Sequence, residues 1–119
     1  SYQKIIPLMN DYIHTLKTLS LHPLKKAAVI HHRLVWIHPF FDGNGRVARL
    51  ITNLFFMQQG FPPVVLKQEQ RKIYYQVLHQ ADHGNLSPLT IYLCLSMKNV
   101  SFHLKNLQNT LRIRKSILV

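Results

Sequence analysis

The stretch His38-Pro39-Phe40-Phe41-Asp42-Gly43-Asn44-Gly45-Arg46-Val47-Ala48-Arg49 decides how the rest of this chain is read. Pro39 pushes His38 out of helical conformation, so an apolar helix running toward Ile37 must stop there. Gly43 and Gly45 flank Asn44 and let the backbone turn and come close to a ligand. Val47, Leu50, Ile51, Leu54 and Phe55 then recur at helical spacing. A bent loop feeding a helix N-terminus gathers backbone N–H groups, and the helix dipole favours negative charge there. The stretch therefore predicts an anion site between two central helices.

Its side chains sharpen that expectation. Arg46 and Arg49 are spaced to share a helix face and reach one anion. Two arginines beside an N–H nest suit a polyphosphate better than a lone carboxylate. Asp42 is the only carboxylate of the stretch; the others are Asp11, Glu69 and Asp82. One carboxylate plus substrate phosphates is a usual way to hold Mg²⁺. His38, at the loop entrance, carries a ring that accepts protons near neutral pH. A base, a metal ligand, an anion nest and a charge clamp are the parts of a phosphoryl-centred transfer.

Outward from the motif the chain reads as helices. Ile5, Leu8, Met9, Tyr12, Ile13, Leu16 and Leu19 predict an amphipathic helix over residues 2–19, with its regular part starting near Pro7. His22 and Pro23 mark the start of a second helix reaching Ile37. It is apolar on more than one side, which predicts a central position. His31 within it reads as a buried, hydrogen-bonded structural histidine. Asn44 is the expected N-cap of the motif helix, and Gly60 with Pro62 and Pro63 ends it near Gln59. Phe40, Leu50, Leu54 and Phe55 read as core, with Phe40 anchoring the loop. Residues 67–82 predict a fourth helix carrying Tyr74 and Tyr75, one of which must face the core because adjacent helical positions diverge. Ser87-Pro88 opens a nearly all-apolar buried helix toward Lys98. Leu104, Leu107 and Leu111 predict a last amphipathic helix in the tail. The fold class is all-α, a compact bundle of about six helices in one domain over residues 1–119.

Composition limits the functional classes. No apolar run is long enough to span a bilayer. Cys94 is the only cysteine, which excludes an intramolecular disulfide and reads as a core thiol. Nothing indicates an oxidising compartment, and a cytoplasmic location is the expectation. With no initiator Met or signal-peptide layout, the sequence reads as part of a longer protein whose targeting lies elsewhere. The net charge of +11 raises the question of nucleic acid, but the basic residues are scattered and only Arg112, Arg114 and Lys115 cluster. A basic surface complementary to an acidic partner or to flanking regions of the parent protein is the preferred reading, with no nucleic acid expected.

The motif resembles the Fic family signature, H-P-F-x-D/E-G-N-G-R-x-x-R, at every defined position. The similarity extends over roughly residues 5–97, through His22-Pro23, Pro63, Arg71, Tyr74-Tyr75 and Ser87-Pro88. It implies a protein adenylyltransferase that moves AMP from ATP to a Ser, Thr or Tyr hydroxyl of a target protein. By the same resemblance, Mg²⁺ sits on Asp42 while Gly43, Asn44 and Gly45 hold the α- and β-phosphates. Arg46 neutralises phosphate charge, Arg49 reaches the terminal phosphate, and His38 is the general base. Tyr75 and Asp82 fall where relatives contact the nucleoside, although relatives often carry Asn at the latter position. A phosphate-transferring branch has Lys in place of Gly45, so the glycine favours nucleotide transfer. Members are often silenced by a helix bearing S/T-x-x-x-E-G/N. Glu69 does not fit that pattern, so an inhibitory helix or antitoxin is expected from outside the chain, as is the substrate flap. A homodimer is left open. Two alternatives stand beside this: a de-AMPylase or a transferase using another nucleotide or a phosphocholine donor, and a basic module that holds an anion without chemistry.

Overall fold

The computed structural model describes residues 2–98. Five α-helices follow in order: α1 (Tyr2–Thr18), α2 (Pro23–Ile37), α3 (Asn44–Gln58), α4 (Arg71–Asp82) and α5 (Ser87–Leu95), with a 3₁₀ turn at Gln68–Gln70 before α4. The fold is all-α, as expected. The amphipathic helix expected from Phe102 onward lies outside the described residues.

Each helix end has an identifiable cause. α2 opens on Pro23, and the His22 Nδ1 accepts a hydrogen bond from the Leu24 N–H at 3.2 Å. α3 closes on a Schellman motif: Phe61 N–H donates to the Phe56 carbonyl at 2.8 Å and Gly60 N–H to the Met57 carbonyl at 3.1 Å. That turn needs φ of +84° at Gly60, and it stacks the Phe61 ring edge-on against Phe56. Helix α1 runs through Pro7 from Tyr2, earlier than the expected start near that proline. Ser87 does not cap α5; Leu86 holds the cap position, with Ser87 and Pro88 inside the first turn.

α2 is the central element. It packs on α1, α3, α4 and α5, which its apolar character on several sides anticipated. One cluster gathers Ala27 and Ala28 of α2 with Phe56 of α3, Leu78 and Ala81 of α4, and Leu89 and Leu93 of α5. A second gathers Tyr12 of α1, Ile30 and Leu34 of α2, and Ala48 of α3. Small residues at 27, 28 and 48 let the helices approach closely. The segment after α3 is tied down by Asn53, whose side chain accepts from the Val64 N–H at 2.7 Å and donates to its carbonyl at 3.1 Å. That segment also pairs as an isolated antiparallel bridge, Val64 with Met97.

Several apolar residues are less buried than the sequence implied. Phe40, Leu50 and Leu54 are each about half exposed or more, so of those four only Phe55 packs on the core. α5 buries Leu89, Tyr92 and Leu93 but exposes Ile91 and Leu95, so only one face of it is core. Cys94 is half-buried, and burial raises its thiol pKa.

Candidate active site

The site grows from the junction of α2 and α3. His38 ends α2 with φ 54° and ψ 57°, donating its N–H to the Leu34 carbonyl at 3.1 Å. It is the only non-glycine residue with positive φ among the described residues. Such a backbone costs roughly 1–2 kcal/mol and concentrates at functional positions. The left-handed turn takes the His38 side chain out of the helix and onto the exposed loop, where it lines a cavity of about 310 Å³.

Two devices hold the loop in place. Asn44 is almost fully buried, and its side chain clamps Phe40 at both backbone groups. Phe40 N–H donates to Asn44 Oδ1 at 2.9 Å, and Asn44 Nδ2 donates to the Phe40 carbonyl at 2.8 Å. Asn44 is therefore not the N-cap that its position implied. It is the first residue of α3, and Gly43 caps the helix at φ +82°. The loop is anchored by this amide clamp, not by the Phe40 ring. The first intrahelical bond is Val47 N–H to the Gly43 carbonyl at 3.0 Å. The N–H groups of Asn44, Gly45 and Arg46 precede it and have no acceptor within the helix. Asn44, Gly45 and Arg46 line the same cavity as His38 and Asp42.

Both arginines fold back over this first turn, as helical side chains tend to lean. A Cβ on Gly43 would lie 3.1 Å from Arg46 Nη2, and one on Gly45 would lie 3.4 Å from Arg49 Nη1. Gly43 thus serves both the turn and the Arg46 guanidinium, while Gly45, inside α3, only makes room for Arg49, and both guanidiniums line one cavity. Arg46 Nη2 is 3.4 Å from Asp42 Oδ2, with both side chains largely exposed, so the pair is loose. Asp42 keeps oxygen available to a hard cation. Among the described residues no cluster of three or more metal-binding side chains exists. A cation here would need substrate phosphates for its remaining ligands, which fits Mg²⁺. Arg49 itself has no carboxylate partner among the described residues.

A second cavity of about 410 Å³ adjoins, lined by Leu66, Lys67, Gln68, Arg71, Tyr74, Tyr75 and the same Arg49. One arginine therefore belongs to both compartments.

Known proteins share this sequence and arrangement. The Fic/DOC family model matches residues 1–56. The protein adenylyltransferase fic-1 of Caenorhabditis elegans is 48% identical over 83 residues, covering 70% of this chain and 16% of that protein. The protein adenylyltransferase Fic of Nematostella vectensis is 45% identical over 86 residues, covering 72% of this chain and 20% of that protein. The solved structure of C. elegans Fic-1 superposes with a TM-score of 0.73 at 41% identity, over 79% of this chain and 29% of that one. A Fic-domain signaling protein from Bacteroides thetaiotaomicron gives a TM-score of 0.72 at 30% identity, over 81% of this chain and 42% of that one. The chain belongs to the Fic/DOC family. It spans a fifth or less of the length of these curated relatives.

Within this Fic fold the remaining sequence-derived residues separate. Tyr75 is exposed on the second cavity, while Tyr74 lies deeper, so the two tyrosines divide as adjacent helical positions must. Asp82 departs from the expected placement. Its Oδ1 lies 2.7 Å from His32 Nε2 at the far end of α4, and it lines neither cavity. The ion-pairing partner on α2 claims the carboxylate. His31, expected to be structural, is fully buried, and burial with the Arg49 charge lowers its pKa to about 4. Lys67, Gln68 and Asn53 carry no motif, and sequence reasoning passed over them.

Proposed function

We propose that this Fic-family chain transfers AMP from ATP to a Ser, Thr or Tyr hydroxyl of a target protein. One observation carries the reading: His38, Asp42, the first residues of α3 and both arginines line a single cavity. The relatives named protein adenylyltransferases support it.

The chain's own residues divide the work. The N–H groups of Asn44, Gly45 and Arg46 hold the inner phosphates, and the α3 dipole favours their charge. Arg46 and Arg49 neutralise phosphate charge, and Arg49 also lines the second cavity, where Tyr75 offers a ring face to the nucleoside. Asp42 would hold Mg²⁺, which supplies further neutralisation of the phosphate tail when bound. His38 takes the proton from the acceptor hydroxyl as that oxygen bonds the α-phosphorus. The bond from the α-phosphorus to the β-bridging oxygen breaks, and pyrophosphate leaves. A neutral acceptor thus becomes a nucleophile without a free alkoxide.

Incubation with Mg²⁺ and ATP labelled at the α- or the γ-phosphate, in the presence of acceptor proteins, tests this. The α-label is expected on protein and the γ-label is not. His38→Ala is expected to lower transfer by ~10²–10⁴, the usual loss for a general base. The side chain is exposed, so the fold should be unaffected. Transfer of the γ-label, or α-transfer indifferent to His38→Ala, would overturn the reading.

A further inference from the structure

A buried polar relay crosses the helix bundle beneath the two cavities. Thr52 of α3 donates its hydroxyl hydrogen to the Ala48 carbonyl at 2.7 Å. Its Oγ1 lies 3.1 Å from His31 Nδ1, and with that hydrogen already used it must accept there. His31 Nδ1 therefore carries the ring proton, and Nε2 is left as an acceptor. Tyr74 Oη lies 2.7 Å from that Nε2 and donates to it. The order is fixed throughout: Tyr74 to His31, His31 to Thr52, Thr52 to the backbone of α3. Only a neutral ring satisfies it, and the depressed basicity of His31 agrees.

The position of this relay gives it a consequence. The second cavity has one wall on α3, Arg49, and another on α4, Tyr74 and Tyr75. The backbones of α3 and α4 do not approach each other closely, and α2 packs on both. His31 of α2 hydrogen-bonds to both helices: to Tyr74, which lines the cavity, and to Thr52, one turn along α3 from Arg49. Ala48, where the relay ends, immediately precedes Arg49. Tyr74, where it begins, packs its ring at 5.6 Å from Tyr75 and 6.1 Å from Tyr92. Arg49 and Tyr74 line the second cavity together.

We infer that His31 is a positioning residue for nucleotide binding: through Tyr74 and Thr52 it sets the spacing between Arg49 and Tyr75 across the second cavity. It touches no substrate and moves no proton. It converts the packing of three helices into a fixed width for the compartment that receives the nucleoside. This rests on the nucleotide reading proposed above.

Tyr74→Phe tests it with the least disturbance, because the ring remains and only the hydroxyl leaves. Mg²⁺-ATP is titrated into the 119-residue chain, and melting temperature is followed alongside. Transfer at saturating nucleotide is measured as well. The expected result is a Kd and KM for ATP raised about 2- to 10-fold, the range for one lost hydrogen bond, with kcat little changed. Thr52→Val should act in the same direction, and the double variant should be no worse than the worse single one, since both break one chain. A merely structural role would lower the melting temperature and leave Kd unmoved. If the parent chain binds ATP and Tyr74→Phe binds it equally well, the positioning role is wrong while the nucleotide reading survives. If the parent chain binds no ATP, both fall together.

Discussion

His31 is held neutral at pH values where water would protonate it. Its pKa is lowered from 6.5 to about 4, first by burial and then by the Arg49 charge. The unfolded chain therefore takes up this proton at higher pH than the folded one. Stability from this residue is complete above about pH 6.5 and declines as pH falls toward 4. The loss from this group is at most about 3 kcal/mol. Urea unfolding at pH 7 and pH 4.5 should show that decline, and His31→Gln should flatten it, since glutamine does not titrate. An equal acid dependence in both proteins would contradict the assignment. His31 was legible from sequence as a buried, bonded histidine because it sits on an apolar helix. Its partners were not, since Thr52 and Tyr74 lie 21 and 43 residues away and no spacing rule links them. The same limit explains Asp82. A carboxylate near a helix end looks available until the cross-helix neighbour, here His32, is known. Asn44 misled for a local reason. Its side chain found backbone partners in the preceding loop, which competes with capping the helix it begins.

At the scale of elements, two helices and one bend at the α2–α3 junction bring His38, Asp42, Arg46 and Arg49 to one cavity. The bend was legible because each of its breaks has a named cause in the sequence: Pro39 after His38, and Gly43 before Asn44. Two glycines with similar backbones separate stability from function there. Gly43 has φ +82° and Gly60 has φ +84°. An alanine at either should cost roughly 1 kcal/mol of backbone strain. At Gly60 the added Cβ meets nothing within 4 Å, whereas at Gly43 it lies 3.1 Å from the Arg46 guanidinium. Thermal melts should show similar losses for Gly43→Ala and Gly60→Ala. Only Gly43→Ala should also weaken ATP binding, by displacing Arg46. Equal affinity in the two variants would remove Arg46 from the site. Helix existence and order were readable from 3.6-residue periodicity. Burial was not fully readable: Leu50, Leu54, Ile91 and Leu95 keep the apolar rhythm yet stay exposed, because periodicity marks a face without showing what covers it.

Taken whole, the molecule is organised around α2, which packs on the other four helices and joins two core clusters. That leaves α3 and α4 apart, with the cleft between them open to solvent on one side. The two cavities that share Arg49 are strongly basic: Arg46 and Arg49 line the first with Asp42 as its one carboxylate, and Arg49, Lys67 and Arg71 line the second. This local excess is something the net charge of +11 alone does not reveal. An elongated polyanion carrying an aromatic end group matches both compartments at once, with Arg49 at their junction. The most direct test is a crystal structure of the chain with Mg²⁺ and an ATP analogue whose α,β-bridge is a methylene group. The phosphate tail should lie on the N–H groups of Asn44, Gly45 and Arg46, with the α-phosphorus facing His38 and the base beside Tyr75. A tail bound elsewhere, or an α-phosphorus out of reach of any nucleophile held by His38, would contradict the account.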